Sequence, residues 1–390
     1  MGRLPDGRAV FVPLALPGET IRITLTEEKR GFARGEIVEI LRPAANRIEP
    51  RCQHFGSCGG CHYQHLSYAD QLTAKTEILI DQLERIGKLS NPPIRAIVPS
   101  PNIWNYRNHV QFHQDPQGRL GFLALRSDQF APVEECHLPE ESINAIWPQL
   151  EIDPLEDLER IGLRAGSDGE HMLVLESGTD IPFDFTVDFP IAAVQSGPEE
   201  IIILSGNHFF EISVKDRPFR VSAESFFQVN TAMAEKMVDE LLENLRLDLD
   251  TTLLDIYCGV GLFSAFLAPK VARLIGIESN SAAVADFTEN LDEFDHVEIY
   301  EAAAEDVFLS VPLEADVVVV DPPRSGLAIS VLEAIIKLDP RQLAYISCDP
   351  ATLARDARRL TENGYRITQI TPFDLFPQTY HIESISFWEK

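Results

Sequence analysis

The sequence has few basic residues and few cysteines for its size. Its 390 residues include 33 Lys and Arg against 61 Asp and Glu, for a formal net charge of −28. That balance, taken over the whole chain, argues against a nucleic-acid partner. Six cysteines are too few for a disulfide scaffold, so ligand or catalytic roles are expected for them in a reducing compartment.

A long apolar run is also absent. The longest nearly uncharged stretch, Ile256 to Pro269, is far shorter than the ~18–20 residues that span a bilayer. No secretory signal opens the chain. The sequence therefore predicts a cytoplasmic protein with no membrane association, long enough for two or three domains.

The acidity is unevenly distributed along the chain. Residues 1–51 carry nine Lys and Arg against seven Asp and Glu, and residues 52–140 carry seven against nine. Residues 141–250 carry seven against 23, and residues 251–390 carry ten against 22. A polyanion would therefore engage the first 140 residues and meet the acidic remainder through local basic patches.

Hydrophobic patterning divides the chain into three parts. Residues 1–43 alternate apolar and polar side chains with turn signals between them, which predicts a small antiparallel β unit. Residues 44–220 combine a Cys/Gly-rich knot with several short strands, one of them over 181–189. They also include an amphipathic helix over 67–89, with Leu72, Leu79, Leu83 and Ile86 on one stripe, that can pack on the C-terminal part. Residues 221–390 alternate strands with helices, which predicts a doubly wound α/β sheet.

The stretch DIYCGVGLFS, residues 255–264, predicts a nucleotide site. Gly259 and Gly261 follow a buried strand and precede a helix, where glycine allows a tight turn and a close ligand approach. Glu278 ends the next strand and suits the hydroxyls of a ribose. The loop alone leaves NAD, S-adenosylmethionine (SAM) and a plain strand-to-helix turn open, and Cys258 within it is interpreted as a packing residue.

The stretch DPPRSGL, residues 321–327, begins at the carboxyl end of a core strand, the edge at which open sheets bind ligands. Two prolines make a rigid elbow that can hold Asp321 towards a base or the SAM methyl group. Such elbows also occur in amino-methylating enzymes, and a stiff turn is the structural alternative.

Cys348 lies in YISCDPATLARD, between a strand and a predicted helix. Free cysteines are often buried, which favours packing when the residue is taken alone. However, Asp349 can cap the helix and Pro350 fits its first position. The positive helix end beside Cys348 would favour a thiolate, which is the nucleophilic form.

A nucleophilic thiol beside a SAM site suggests one reaction in particular. Addition of a thiolate to carbon 6 of a pyrimidine makes carbon 5 nucleophilic enough to take a methyl group. A general base must then remove the carbon 5 proton. Glu383, with His381 nearby, is the candidate base in FPQTYHIESISF.

Taken together, these motifs resemble the RNA (uracil-5-)-methyltransferase family, and within it the iron–sulfur 23S rRNA branch. The motifs that carry the resemblance are CQHFGSCGGCHYQHLSYADQL, FFQVN, DIYCGVGLFS, IGIES, DPPRSGL, YISCDPATLARD and FPQTYHIES. The resemblance implies Cys348 as nucleophile and Glu383 as base. It implies SAM contacts for Gln228, Tyr257, Glu278 and Asp321, and a Rossmann-like class I SAM methyltransferase domain after an RNA-binding, OB-like TRAM β-barrel.

Three cysteines have the spacing C-x5-C-x2-C at Cys52, Cys58 and Cys61, and Cys136 is the remaining unassigned cysteine. Spacing does not choose between zinc and an iron–sulfur cluster. The resemblance implies a 4Fe–4S cluster held by all four residues, read here as a clamp between the knot and the β-rich middle domain.

The chain departs from the family in two ways. Its TRAM-like unit begins at what would usually be the second strand, which indicates a late start or a trimmed domain, and its acidity is strong for an RNA enzyme. We therefore expect RNA contacts to concentrate in residues 1–140. Arg107 is a candidate phosphate contact, with a surface ion pair as the equal alternative. The expected protein is a monomer that acts on 23S rRNA, with a tRNA T-loop as the alternative target.

Three other functions remain to be tested. An amino-methylating SAM enzyme would use the DPPR elbow without a cysteine nucleophile. An iron–sulfur RNA-binding protein with a vestigial methyltransferase fold would bind no SAM. A DNA cytosine-5 methyltransferase would also use a cysteine, but typically after a proline, and Ser347 precedes Cys348 here.

Overall fold

The computed structural model describes residues 1–150, 152–184, 186 and 189–390. The N-terminal part forms a four-stranded sheet in the order β1-β2-β4-β3. Its strands are β1 (Gly2–Arg3), β2 (Ala9–Phe11), β3 (Thr20–Glu28) and β4 (Phe32–Arg42). The strict alternation of exposed and half-buried residues along β3 reflects a sheet with one solvent face, as the sequence pattern predicts.

A second sheet has seven strands in the order β11-β10-β9-β8-β5-β6-β7, antiparallel except for the β9–β10 pair. The strands are β5 (His109–Gln114), β6 (Leu120–Leu123), β7 (Phe130–Pro132), β8 (Leu158–Ala165), β9 (His171–Ser177), β10 (Ala192–Ser196) and β11 (Ile201–Ser205). A strand predicted over 181–189 lies partly outside the described residues, and residues 181–184 form no strand.

The C-terminal part is a seven-stranded sheet in the order β16-β15-β14-β17-β18-β20-β19, in which only β20 is antiparallel to its neighbours. These strands are β14 (Thr252–Ile256), β15 (Arg273–Glu278), β16 (Val297–Glu301), β17 (Val317–Val320), β18 (Gln342–Ser347), β19 (Arg366–Phe373) and β20 (Glu383–Glu389). The predicted doubly wound sheet is thus present, with one further strand, β16, that has a weaker apolar pattern. A hairpin of β12 (Phe209–Val214) and β13 (Arg217–Ser222) precedes it.

Eight α-helices occur in the described residues. They are α1 (Tyr68–Arg85), α2 (Glu141–Ile146), α3 (Thr231–Asn244), α4 (Leu262–Leu267), α5 (Ser281–Asn290), α6 (Ala304–Ser310), α7 (Ile329–Leu338) and α8 (Pro350–Glu362). None of them is long and apolar enough to cross a membrane.

Helix α1 precedes the middle sheet in the chain but packs on the C-terminal sheet. Its Leu79 and Leu83 are fully buried in the same core as Leu353 and Ala354 of α8. Gly87, just after α1, allows this approach, because a Cβ there would lie 3.2 Å from the carbonyl oxygen of Ala354. The backbone N–H groups of His62 and Tyr63 donate to the carbonyl oxygen of Gln378, so the chain just after the cysteine-rich segment lies against the loop that precedes β20.

Candidate active site

Cys348 lies between β18 and α8, as predicted. The Oδ1 atom of Asp349 accepts hydrogen bonds from the backbone N–H groups of Ala351 (2.8 Å) and Thr352 (3.0 Å), so this residue caps the helix. Pro350 occupies the first helical position, where its missing N–H costs nothing. The cysteine is therefore held at the ligand edge of the sheet by a rigid strand on one side and a capped helix on the other.

The surroundings of Cys348 favour the thiol over the thiolate. Burial, together with the nearby carboxyl groups of Glu383 and Asp321, raises the pKa of Cys348 to about 12, and Arg324 and a backbone hydrogen bond act in the opposite direction. The expectation of a thiolate considered only the helix end. It did not include the carboxyl groups of Glu383 and Asp321, which disfavour the thiolate. Attack by Cys348 requires that the thiol first lose its proton.

Glu383 is the first residue of β20, next to β18 in the sheet. The pairing of Ser347 with Ser384 puts Cys348 and Glu383 at the same end of two adjacent strands. Only 7% of Glu383 is exposed, whereas a strand-end glutamate is usually solvated. Burial and the nearby Asp321 raise its pKa well above the ordinary value, opposed by Arg324 and Lys75.

Asp321 directly follows β17, the strand on the other side of β18. Its backbone N–H donates to the carbonyl of Ile256 at 3.2 Å. Burial raises the pKa of Asp321 to about 7. Because Asp321 acts electrostatically on both Cys348 and Glu383, the three groups form one cluster at the carboxyl edge of the sheet.

The glycine loop after β14 has a left-handed backbone at three positions. Tyr257 (φ 65°), Gly259 (φ 54°) and Gly261 (φ 89°) all have positive φ. A Cβ at Gly261 would lie 2.4 Å from Cδ1 of Leu291, whereas a Cβ at Gly259 would meet nothing within 4 Å. Gly261 is therefore required by packing, and Gly259 leaves open space in front of the loop.

Glu278, at the end of β15, is oriented by backbone donors. Its Oε2 accepts from Gly259 N–H at 3.1 Å, and its Oε1 accepts from Ser279 (2.7 Å) and Asn280 (2.8 Å). Tyr257 and Glu278 line a cavity of about 410 Å³ together with Pro323 and Leu327 of the DPPRSGL loop. This cavity is the candidate SAM site.

The other predicted SAM contacts do not line this cavity. Asp321 is two residues from Pro323, which lines the cavity. The backbone N–H of Gly259 donates a hydrogen bond to Glu278, which also lines it. Gln228 lies farther away, where its carbonyl oxygen accepts from the side chain of Asn108 at 3.0 Å. Its neighbours Phe227 and Val229 line a different and larger cavity.

That larger cavity, of about 900 Å³, extends from the cysteine knot to Arg324 and His381. Arg107 and Arg164 also line it. The guanidinium of Arg107 lies over the rings of Tyr106 (5.8 Å) and Phe376 (5.5 Å), and its Nε has no hydrogen-bond partner among the described residues. Arg324 is the third arginine of the lining, and three glutamates, Glu135, Glu176 and Glu224, line it as well, so its formal charges balance.

All four predicted cluster cysteines line the large cavity. Burial and the neighbouring thiols raise the pKa of Cys61 to about 12 and that of Cys136 to about 11. No group of three or more His, Cys, Asp or Glu in the described part of the chain is placed to hold a metal ion. Cys52, Cys58, Cys61 and Cys136 thus come together on one cavity without forming a complete ligand set.

Sequence reasoning missed a buried ion pair behind Glu383. Nζ of Lys75, in α1, lies 2.5 Å from Oδ1 of Asp374 and 3.0 Å from the carbonyl oxygen of Phe376, and both charged side chains are fully buried. Burial lowers the pKa of Lys75, and Asp374 opposes this shift. The sequence contained an indication of this buried lysine. Lys75 precedes Leu79 and Leu83 by four and eight residues, which puts all three on one face of the helix.

The sequence profile of the tRNA (Uracil-5-)-methyltransferase family matches residues 191–390, and that of the TRAM domain matches residues 1–38. An uncharacterized RNA methyltransferase of Caldanaerobacter subterraneus is 34% identical over 100% of this chain and 95% of its own length. One of Halalkalibacterium halodurans is 32% identical over 98% of this chain and 93% of its own length.

Among solved structures, the Pyrococcus abyssi tRNA (uracil-54, C5)-methyltransferase in complex with S-adenosyl-L-homocysteine is similar over 99% of this chain and 98% of its own. The TM-score is 0.74 at 25% sequence identity. The predicted TRAM and SAM-methyltransferase folds are thereby confirmed. The chain therefore belongs to the tRNA (uracil-5-)-methyltransferase family of SAM-dependent RNA methyltransferases.

Proposed function

We propose that this enzyme methylates carbon 5 of a uridine in folded RNA, with Cys348 as nucleophile and Glu383 as general base. The observation that carries the proposal is the placement of these two residues at the same end of adjacent strands, with Asp321 beside both. The candidate SAM cavity shares the DPPRSGL loop with this cluster. The large cavity is lined by Arg324, which acts electrostatically on both Cys348 and Glu383, and by His381.

SAM supplies the methyl group, and Tyr257, Glu278 and the glycine loop are the residues proposed to hold it. Cys348 first gives its thiol proton to water, and the thiolate then adds through Sγ to carbon 6 of the uracil. The electron pair of the 5,6 double bond moves into the ring carbonyl and makes carbon 5 nucleophilic. Once carbon 5 carries the methyl group, ionised Glu383 takes the proton that remains on carbon 5. The electron pair of that bond re-forms the 5,6 double bond, and the Cys348 thiolate leaves from carbon 6.

The raised pKa of Glu383 suits this role. A carboxylate whose buried surroundings favour the protonated form is a stronger base than a solvated one. The pairing of β20 with β18 holds Glu383 at the same strand end as Cys348. The target base must be unstacked from the RNA, since Cys348 has to approach the face of the ring, and a loop makes that unstacking easier.

Within RNA, the resemblance to the iron–sulfur branch favours 23S rRNA as the target. The solved tRNA (uracil-54, C5)-methyltransferase makes the tRNA T-loop the alternative. Mapping 5-methyluridine in rRNA and tRNA from a deletion strain distinguishes the two. Loss of one modified position in 23S rRNA supports the proposal, and loss from tRNA alone replaces it with the alternative.

We also propose that Cys52, Cys58, Cys61 and Cys136 hold a 4Fe–4S cluster. Four thiols on one cavity supply the donor chemistry of such a cluster. Its expected contribution is structural, because methylation at carbon 5 needs no electron. Anaerobically purified protein should be brown with about four irons per chain, and a colourless protein with one zinc would contradict the assignment.

A covalent adduct tests the reaction itself. RNA containing 5-fluorouridine plus SAM should trap the enzyme, because the fluorine on carbon 5 cannot leave as a proton does. Mass spectrometry under denaturing conditions should find the RNA on the Cys348 peptide. Cys258→Ala should still form the adduct and Cys348→Ala should not.

Recovery of only free wild-type enzyme would refute the thiol addition. An amino-methylating enzyme would instead keep its activity in Cys348→Ala. With ordinary uridine RNA, Glu383→Gln should accumulate the same adduct, since the carbon 5 proton would remain. Unimpeded turnover by Glu383→Gln would remove this residue from its proposed role.

A further inference from the structure

The loop between β19 and β20 presents an exposed aromatic ring close to the catalytic residues. Tyr380 is 49% exposed, whereas its neighbours Thr379 and Ile382 are buried. Glu383 is three residues away, and three residues span at most roughly 11 Å. An exposed ring at this distance from the site of chemistry has no evident part in folding.

The ring belongs to a small aromatic group. The centroid of Tyr380 lies 4.4 Å from that of His62, at an interplanar angle of 73°, and 4.4 Å from that of His381, at 40°. Phe376 continues the group, 5.5 Å from His381. The Nη2 atom of Arg324 lies 3.2 Å from Nδ1 of His381, which connects the group to the residue that acts electrostatically on Cys348.

The backbone beneath Tyr380 is held in place. The carbonyl of Gln378 accepts from the N–H groups of His62 (2.8 Å) and Tyr63 (3.0 Å), and the N–H of Gln378 donates to Oε1 of Gln71 at 3.0 Å. Thr379 closes the turn by donating from Oγ1 to the carbonyl of Phe376 at 2.8 Å. A ring fixed in this way loses little conformational freedom when a ligand stacks on it.

The surroundings of Tyr380 are cationic, in contrast to the chain as a whole. A cavity of about 700 Å³ beside the ring is lined by Arg107 and Arg126, and no Asp or Glu lines it among the described residues. The net charge of the chain is −28. A cavity with two arginines, four aromatic or imidazole rings and no carboxylate fits a nucleobase with its phosphates.

We propose that Tyr380 is a stacking platform for the base of a nucleotide that flanks the target uridine, with Arg107 and Arg126 facing its phosphates. The inference rests on the proposed RNA methylation and adds a specific contact to it. A base held on Tyr380 would bend the strand away from its normal stack. That arrangement would help to present the uridine to Cys348.

The test is a thermodynamic cycle between the ring and the base. The probe is a 17-nucleotide RNA stem–loop that carries the mapped uridine, prepared intact and with an abasic site at each of the two flanking positions. RNA affinity and single-turnover methylation are measured for wild type and Tyr380→Ala. With intact RNA, Tyr380→Ala should bind about ten-fold to hundred-fold more weakly, the typical effect of losing one stacked base.

One abasic RNA should weaken wild-type binding by a similar factor and should weaken Tyr380→Ala no further, because the two changes remove the same contact. Tyr380→Phe and Tyr380→Trp should retain the affinity, since both keep the ring. Leu309→Ala, at an 85% exposed residue of α6, is the control for a lost apolar surface group. Iron content and SAM affinity should match wild type in every variant.

Additive losses from the two changes would overturn the proposal, as would an unaltered affinity of Tyr380→Ala for naked RNA. The latter result would point to a protein partner for this ring instead. If the wild-type enzyme methylates no RNA, the proposed function fails and the stacking role fails with it. An active wild type with an additive cycle refutes the stacking role alone.

Discussion

Several carboxyl groups near the active site are buried without a basic partner. Asp255, in the glycine-loop strand β14, is 1% exposed, and its Oδ2 accepts from Ser264 Oγ at 2.6 Å. Its Oδ1 has no partner among the described residues. Burial raises the pKa of Asp255 to about 7. Such groups make the chain less stable when they ionise.

This leads to a prediction for stability and pH. At pH values between the ordinary pKa of 3.8 and the raised pKa of about 7, Asp255 is protonated in the folded chain and ionised in the unfolded chain. Its stabilising effect is therefore full at acid pH and lost as the pH rises through about 7, a change on the order of 4 kcal/mol at most. Asp255→Asn should remove this contribution.

Urea unfolding at pH 5 and pH 8 measures the effect. The free energy of unfolding should fall less between the two pH values in Asp255→Asn than in wild type, by about 2 kcal/mol. Asp250→Asn, at an exposed aspartate, should behave like wild type. An equal pH dependence in all three proteins would contradict the prediction.

The two glycines of the cofactor loop should have different roles, Gly261 in stability and Gly259 in SAM binding. A Cβ at Gly261 would collide with Leu291 and Phe287, at 2.4 and 2.9 Å, whereas a Cβ at Gly259 would enter open space. Gly261→Ala should therefore lower the free energy of unfolding by more than 2 kcal/mol. Gly259→Ala should cost about 1 kcal/mol and should mainly weaken SAM binding.

Thermal unfolding and SAM titration by calorimetry separate the two effects. Each variant serves as the control for the other, since both place the same methyl group at a positive φ. Equal stability losses for the two variants would show that backbone strain, rather than the collision at Gly261, decides the outcome.

At the level of elements, α1 carries more than a packing face. Its buried residues are Gln71, Lys75, Leu79 and Leu83, so the stripe includes two polar side chains beyond the predicted leucines. Both bind the loop between β19 and β20, through Gln378 and Asp374. An element distant in sequence thereby positions the segment that ends at Glu383.

Lys75→Met should be strongly destabilising. It leaves the Asp374 carboxyl buried without its cation, and removing one partner of a buried pair typically costs about 3–5 kcal/mol. The double variant Lys75→Met/Asp374→Leu should recover part of that loss, since it removes both charges. Chemical unfolding of the single and double variants measures the coupling.

Arg85→Met is the matched control on the same helix. Arg85 pairs with Asp81, but both side chains are largely exposed, at 62% and 58%, and such pairs contribute about 0.5 kcal/mol or less. If Lys75→Met costs no more than Arg85→Met, the buried pair does not stabilise the loop. The methylation rate of the double variant then shows whether Lys75 also matters for the placement of Glu383.

On the scale of the whole molecule, more than half of the basic side chains in the N-terminal sheet are in ion pairs. Four of the seven in residues 1–43 pair with carboxylates: Arg8, Arg22, Lys29 and Arg34. The family match shows that this region is a TRAM domain. Its internal ion pairs compete with any phosphate contact that these residues could make.

Release of these cations should strengthen RNA binding. Glu27 lies within 3.1 Å of Nζ of Lys29 and 3.3 Å of Nε of Arg34. Glu27→Gln should therefore tighten RNA binding a few-fold at low salt, about 50 mM. It should have little effect at high salt, because salt screens the attraction between the released cations and the RNA phosphates. Filter binding across a salt series measures this.

Glu36→Gln makes the same charge change at an exposed residue of the same sheet that is outside these ion pairs. An equal gain in affinity for Glu36→Gln would show that only net charge matters. A greater gain for Glu27→Gln would show that the freed Lys29 and Arg34 contact the RNA.

Much of the architecture could be predicted because local patterns carry it. The valine run of β17 predicts a buried strand, the capped start of α8 predicts a helix, and the glycines after β14 predict a strand-to-helix turn whatever ligand it binds. Strand β16 was missed because its burial is only partial. The buried stripe of α1 was placed one residue off at its start, on Leu72 instead of Gln71, since a buried polar residue is not expected there.

What the sequence by itself determined is the set of chemical groups and the family to which they belong. Its motifs name a thiol, a carboxylate and a glycine loop, and their order along the chain is specific enough to indicate a reaction. The tertiary structure alone decided how these groups affect one another. Burial beside Asp321 and Glu383 raises the pKa of the Cys348 thiol, and α1 holds the loop that carries Tyr380. Both effects depend on distances between residues far apart in the chain, which no local pattern records.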